Sequence, residues 1–147
     1  MSHVAYTFRT FPQIDRLRGQ CPDLYIFGKL KQDIESFCHH LKDEKPNYVF
    51  GIATSKTKSV VEPVAINDVH GGKIITKAPE KLSLCTSNNF HFPTSSRTTN
   101  SFCNYSMYKI QYFINLHHLP TQFIFIHLNL KDISSLPKIV EQCQQIG

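Results

Sequence analysis

Short apolar runs along the chain alternate with a stretch whose apolar residues recur at helical spacing. Residues 3–11 and 23–27 are rich in apolar and aromatic side chains and predict two strands. The unbroken apolar run Tyr48–Ala53 is typical of a strand that is buried on both faces. Between these strands, a spacing that predicts an amphipathic helix is set by Leu30, Ile34, Phe37 and Leu41.

The second half of the chain continues the alternation. The stretch Val60–Asn67 is mostly apolar, and Gly71 with Gly72 predicts a turn. The further elements that the pattern predicts are a strand at Leu82–Cys85, a helix from Phe102 with Asn100 or Ser101 as its N-cap, a strand at Phe123–Leu128 and a last helix at Leu136–Ile146.

These elements together predict an α/β fold. We expect a single domain over residues 1–147, with a central, mainly parallel sheet flanked by helices. The segments Tyr48–Ala53 and Phe123–Leu128 are both short and apolar on both faces. They are therefore expected to be neighbouring or near-neighbouring strands of that sheet.

Charge and hydropathy narrow the range of partners. Sixteen Lys and Arg residues against eleven Asp and Glu residues give a formal net charge of +5, but the basic residues are scattered and form no block. This distribution predicts no nucleic-acid partner. No apolar run is long enough for a membrane span, and the N-terminal residues lack the apolar core of a signal peptide. We therefore expect a cytoplasmic protein without a membrane partner.

The cysteines and histidines do not predict a metal site. Five cysteines, widely spaced and without a CxxC pair, fit neither a disulfide framework nor a zinc ribbon. The pairs His39-His40 and His117-His118 lie in predicted helices, where adjacent side chains point about 100° apart and do not readily chelate one ion. We expect reduced thiols, no metal and no organic cofactor.

Three residues have the chemistry of a hydrolase. Cys103 falls in the first turn of a predicted helix, where unpaired N–H groups and the helix dipole favour a thiolate, although a buried inert cysteine is the alternative. His127 is expected near the carboxyl edge of the sheet, as a general base or as a core histidine. Glu62 lies among apolar residues, either paired with an imidazole or exposed on an edge strand. Together the three supply a nucleophile, a base and a group that orients the base.

The surrounding residues resemble the pyroglutamyl peptidases (pyrrolidone-carboxylate peptidases). Val60–Asn67 resembles the glutamate motif of that family, Cys103–Tyr108 resembles its nucleophile motif Cys-Asn-x-x-x-Tyr, and Phe125–Leu128 resembles the strand that carries its histidine. The order Glu, Cys, His is also that of the family. The resemblance covers about residues 30–67 and 95–146.

The resemblance implies a function and a site. It implies a Cys-His-Glu triad of Cys103, His127 and Glu62 that removes a pyroglutamyl residue from peptides with a blocked N-terminus, in a protein that assembles as a homo-oligomer and needs no cofactor. The substrate-binding residues that it implies are Phe8, Phe11, Phe102 and Ile52.

The chain also departs from the family pattern. It is shorter, and the Gly-Gln-Ala-Gly-Gly-Arg loop before the family's glutamate is replaced here by Gly51–Lys56, with Ile52 in place of the glutamine that helps bind the lactam. The loss of a hydrogen-bonding partner predicts weak or absent cleavage of pyroglutamyl amides, which Ile52→Gln is expected to raise. The alternative is a degenerate homologue that binds a ligand or partner without turnover.

Overall fold

The apolar runs form a five-stranded sheet with helices on both faces. The computed structural model describes residues 2–86, 92–97, 101–138 and 141. The elements, in chain order, are β1 (His3–Phe8), α1 (Ile14–Gln20), β2 (Leu24–Phe27), α2 (Leu30–Glu44), β3 (Tyr48–Thr54), β4 (Val60–Glu62), β5 (Val64–Ile66), β6 (Lys81–Ser83), α3 (Phe102–Leu116), β7 (Gln122–Leu128) and a 3₁₀ helix (Leu130–Ser135).

The sheet is mainly parallel, as the sequence predicted. Its strand order is β2-β1-β3-β7-β4, and β4 alone runs antiparallel, at the edge beside β7. The predicted neighbours are confirmed, because β3 and β7 pair along their whole length, from Tyr48 opposite Gln122 to Thr54 opposite Leu128. Strands β5 and β6 form a separate antiparallel ribbon.

The two faces of the sheet carry separate apolar cores. One core joins the odd-numbered residues of β3 and β7, such as Val49 and Phe125, to α2 and α3. The other joins the even-numbered residues, such as Phe50 and Ile126, to α1 and the 3₁₀ helix. Since side chains alternate across a strand, His127 lies on the α3 face of the sheet, two residues after Phe125.

The mostly apolar stretch Val60–Asn67 is divided at Pro63 into β4 and β5, which belong to different sheets, because proline has no N–H to continue a ladder. Some local predictions need correction. Strand β1 ends at Phe8 rather than Phe11, and helix α1 was not predicted. His117 caps the end of α3, so the predicted helical position of the second histidine pair is wrong.

The end of the chain is only partly described. A 3₁₀ helix at Leu130–Ser135 precedes three helical residues, and most of the predicted helix Leu136–Ile146 lies outside the described residues. Within the described ranges, no helix is both long and apolar enough to cross a bilayer.

Candidate active site

Three elements bring the predicted nucleophile, base and carboxylate to one place. Strand β7 carries His127 on the face that α3 covers. The antiparallel pairing of β4 with β7 places Glu62 opposite Phe125, two residues before His127. Helix α3 begins over the same face, with Cys103 as its second residue. The side chain of Ser101 caps this helix by accepting a hydrogen bond from the Cys103 N–H at 3.3 Å, as the sequence predicted for one of two residues.

The side chains of the three residues are connected through His127. Its Nδ1 lies 2.9 Å from Oε1 of Glu62, whose side chain is only 4% exposed. The Cys103 thiol is close enough to the same imidazole to raise the pKa of His127. Because Glu62 engages Nδ1, Nε2 is the ring nitrogen available to the thiol. This is the arrangement in which a carboxylate holds an imidazole in the tautomer that faces a nucleophile.

The proton of His127 is held tightly. Burial is the largest influence on its pKa and lowers it, but the polar interactions of the ring with Cys103 and Glu62 outweigh burial and raise the pKa from 6.5 to about 9. His127 is therefore an imidazolium at neutral pH. A buried carboxylate beside it is stabilised by the same pairing.

The raised pKa of His127 makes stability depend on pH. A group whose pKa is higher in the folded state stabilises the fold fully below its unfolded pKa, and this contribution is lost as pH rises through the folded pKa. We expect the free energy of unfolding to fall by on the order of 3 kcal/mol between pH 6.5 and about 9. Urea unfolding at several pH values measures this slope.

The matched control for that slope is His127→Gln, which removes the titrating group. Its unfolding free energy should fall much less over the same pH interval, by only the part that comes from the buried thiols of Cys21 and Cys38, whose pKa values are also raised. Titration of His127 in the unsubstituted protein by NMR should give a midpoint well above 6.5. A midpoint below 7, or an equal slope in the variant, contradicts the tight pairing of His127 with its two neighbours.

A small apolar cavity of about 80 Å³ adjoins the thiol. Its walls include Cys103 and three of the residues that the sequence predicted to bind substrate, Phe8, Phe11 and Phe102. The Phe8 and Phe102 rings meet edge to face, with centroids 4.8 Å apart. The other described residues of the wall, none of which is charged and none of which was predicted, are Thr10, Ala53 and Thr54.

Ile52 does not join this site, and its predicted role needs correction. Its side chain is fully buried in the core on the opposite face of the sheet, with Phe50 and Ile126. The alternation along β3 points Ala53, not Ile52, toward Cys103. The backbone carbonyl of Ile52 accepts a hydrogen bond of 2.6 Å from the hydroxyl of Thr7. The side chain at position 52 therefore cannot account for weak lactam binding.

A buried polar chain supports the first turn of α3. The Tyr6 hydroxyl and Ser106 Oγ lie 2.8 Å apart, and Ser106 Oγ donates to the backbone oxygen of Cys103 at 2.8 Å. Gly51 makes this possible, because a Cβ there would lie 2.8 Å from the Tyr6 ring and 2.5 Å from that of Phe125. Sequence reasoning did not find this network, since only the packed fold shows the approach of β1 to α3.

Asn104 fixes α3 to the separate ribbon. Its side-chain oxygen accepts from the Ile66 N–H at 2.9 Å, and its amide nitrogen donates to the carbonyls of Ile66 and Asp68. The residue after Cys103 is thus a buried structural link and does not face the cavity. The nucleophile motif Cys-Asn-x-x-x-Tyr includes Asn104 but does not indicate this structural role.

Metal ligation has no support in the described part of the chain. Within residues 2–86, 92–97 and 101–138, no group of three or more His, Cys, Asp or Glu side chains could hold an ion.

The comparison with solved structures bears on this geometry. Pyroglutamyl peptidase I of Bacillus amyloliquefaciens superimposes with a TM-score of 0.71 at 16% sequence identity, over 95% of this chain and 94% of that chain. Pyrrolidone carboxyl peptidase from Thermococcus litoralis gives a TM-score of 0.66 at 20% identity, over 86% of this chain and 76% of the other. The chain has the pyrrolidone carboxyl peptidase fold.

Further matches agree with that fold. The pyrrolidone carboxyl peptidase from Pyrococcus furiosus gives a TM-score of 0.67 at 17% identity, over 88% of this chain and 81% of that one. No protein-family model matches the chain, and no curated protein matches it. The similarity that the motifs predicted is thus a similarity of fold, and the sequence identity is low.

Proposed function

We propose that the protein is a cysteine peptidase that removes an N-terminal pyroglutamyl residue from peptides. One observation carries this proposal: Glu62 hydrogen-bonds to His127, and Cys103, which raises the pKa of the same imidazole, is part of the wall of a small apolar cavity. The pyrrolidone carboxyl peptidase fold supports the same conclusion.

The first half of the reaction makes a thioester. The thiol proton of Cys103 lies on His127 Nε2, and the thiolate sulfur attacks the carbonyl carbon of the pyroglutamyl residue. As the tetrahedral intermediate collapses, the C–N bond breaks and His127 gives its proton to the departing amine. Glu62 accepts the Nδ1 hydrogen throughout, which holds the ring in place and stabilises its cation.

The second half uses water. His127, now neutral, takes a proton from a water molecule whose oxygen attacks the thioester carbonyl. The C–S bond then breaks, pyroglutamate leaves, and the proton on His127 again faces the Cys103 sulfur. The developing oxyanion lies at the N-terminal turn of α3, where backbone N–H groups and the helix dipole favour negative charge.

The walls of the cavity favour a neutral acyl group. The described lining is aromatic, aliphatic and hydroxyl-bearing, without a carboxylate. A free N-terminal ammonium would lose its water there without an anionic partner, which is costly. A lactam has no charge, so it loses less than an ammonium on entering a cavity whose walls include Phe8 and Phe11. The blocked N-terminus is therefore a requirement that the cavity itself supports.

The test compares a blocked and an unblocked substrate. Purified protein should release 7-amino-4-methylcoumarin from its pyroglutamyl amide at least tenfold faster than from the glutaminyl amide, which carries a free ammonium. Brief treatment with iodoacetamide should stop this activity and label Cys103 before the other cysteines, since burial raises the pKa of Cys21 to about 11 and that of Cys38 to about 12.

The outcomes separate the two candidate functions. Hydrolysis that iodoacetamide abolishes supports the peptidase. Fast labelling of Cys103 without hydrolysis of either amide contradicts it and favours the homologue that binds without turnover. Faster cleavage of the glutaminyl amide would contradict the preference for a neutral acyl group. The cytoplasmic location, the homo-oligomer and the absence of a nucleic-acid partner stay predictions.

A further inference from the structure

A second cavity lies beside His127. This groove, of about 550 Å³, is lined by His127 and Glu62, by hydroxyl side chains that include Ser95 and Ser96, and by Lys58 and Arg97. Thr54 belongs to the walls of both cavities, so the small apolar pocket and the groove meet at the carboxyl end of β3.

The groove has an excess of positive charge. Lys58 and Arg97 are both exposed, and neither forms an ion pair with any residue that the structure describes. The carboxylate of Glu62 is already hydrogen-bonded to His127. Two cations thus face the groove without a neutralising partner among its described residues, beside an imidazole that is itself protonated at neutral pH.

The wall that carries Lys58 is anchored to the end of β7. The side-chain amide of Asn129 donates to the carbonyls of Ser55 and Thr57. The backbone N–H of Asn129 donates to Ser59 Oγ at 2.7 Å. Ser59 Oγ in turn donates to Oδ2 of Asp132 at 2.7 Å. The backbone on both sides of Lys58 is therefore fixed by hydrogen bonds, and the Lys58 side chain lines the groove.

The wall that carries Arg97 is anchored to β4. The Val61 N–H donates to the carbonyl of Pro93, and the Ser95 N–H donates to the carbonyl of Val61. Ser95 Oγ accepts a hydrogen bond from the Arg97 N–H and donates one to the Arg97 carbonyl. Since these contacts use only the backbone of Arg97, its side chain can be replaced without breaking them.

We propose that the Lys58–Arg97 groove binds the leaving peptide and selects acidic residues directly after the scissile bond. This inference rests on the proposed function. If the pyroglutamyl ring occupies the apolar cavity, the departing amine receives its proton from His127, and the chain that follows it enters the cavity that His127 lines. Carboxylates at the first and second positions of that chain then meet Lys58 and Arg97.

The first experiment measures kcat/KM on three amidated peptides. These are pyroglutamyl peptides with Asp-Asp, Gln-Gln or Lys-Lys after the pyroglutamyl residue and the same remaining sequence, and the released peptide is measured by chromatography. We expect the Asp peptide to exceed the Lys peptide by roughly fivefold or more at low salt, because exposed ion pairs contribute modestly. The preference should fade at 1 M salt, where charges are screened within about 3 Å.

The variants are chosen to isolate the groove. Lys58→Gln/Arg97→Gln should bring the three values of kcat/KM together. The matched control is Lys56→Gln/Arg18→Gln, which removes the same two charges at residues that are not part of the groove lining. Equal cleavage of all three peptides by the unsubstituted protein, or an unchanged preference in the groove variant, overturns the proposal.

A second readout is independent of peptide hydrolysis. Iodoacetate carries a negative charge and iodoacetamide does not, so the ratio of their rates at Cys103 measures the local charge. This ratio should fall roughly fivefold in the groove variant and stay constant in the control. A constant ratio in both variants overturns the positive groove. If the iodoacetate-to-iodoacetamide ratio falls in the groove variant but the unsubstituted protein cleaves no peptide, the proposed peptidase function is wrong, and so is the assignment of the groove to the leaving peptide. The same result would still show that the groove attracts anions.

Discussion

Replacing Cys103 with Ala is expected to lower kcat/KM on a pyroglutamyl amide at least a thousandfold, and His127→Gln should have an effect of similar size. In the proposed mechanism the thiol is the only group of the triad that forms a bond to substrate, and the imidazole both receives and returns the proton. Loss of the nucleophile or the base in a triad leaves only binding and oxyanion stabilisation. Steady-state kinetics, with a circular-dichroism melt to show that each variant is folded, measures both effects.

The double variant gives a sharper result than either single one. Residues that act as one catalytic unit are strongly non-additive, so Cys103→Ala/His127→Gln should be no slower than the slower single variant. Cys85→Ala is the matched control, because this cysteine lies at the other end of β7, where its N–H donates to the carbonyl of Phe123. Full activity in Cys103→Ala, or factors that multiply in the double variant, would show that the two residues do not act as nucleophile and base.

The strongest elements of the fold were predictable from local patterns. The helical spacing from Leu30 to Leu41 became α2, and the buried runs became β3 and β7. Helix α1 was missed because it is short and has only one buried residue, Leu17, so it shows no repeating apolar stripe. Such a helix is stabilised by its packing against the sheet more than by its own sequence.

The proximity of Cys103, Glu62 and His127 was predictable because these residue types fall at recognisable places. Cys103 follows a helix cap, and Glu62 is a carboxylate in an apolar run, so each needed a chemical partner in the fold. The groove was not predictable in the same way. Lys58 and Arg97 are separated by 39 positions in loops, and only the pairing of residues 93–95 with β4 brings their segments to one cavity.

The alternation of β3 contained information that the motif alignment did not use. Phe125 and His127 share a face of β7, because side chains alternate along a strand. Their partners in β3 are Gly51 and Ala53, so these two residues lie on the same face and Ile52 lies on the other. Aligning Ile52 with a substrate-binding glutamine placed it on the wrong face. The prediction of weak lactam cleavage depended on that placement and loses its physical basis.

Ile52→Gln is therefore expected to destabilise the fold by about 3–5 kcal/mol and to bring no gain in hydrolysis. The side chain at this position is 0% exposed and packs among Phe50 and Ile126. A glutamine there loses the burial of an isoleucine and hides an amide without a partner, and each change costs a few kcal/mol. Urea unfolding gives the loss of stability, and kcat/KM below the unfolding transition gives the activity of the folded fraction.

Ile52→Leu is the control that separates packing from chemistry. It conserves the volume and the apolar character of the side chain, so it should cost less than about 1.5 kcal/mol and leave kcat/KM unchanged. A stable Ile52→Gln protein with faster pyroglutamyl cleavage would place this side chain against the substrate, because an amide can raise the rate only where it reaches the lactam. The expected pair of results, a large loss of stability for glutamine and a small one for leucine, follows from the position of residue 52 behind the sheet.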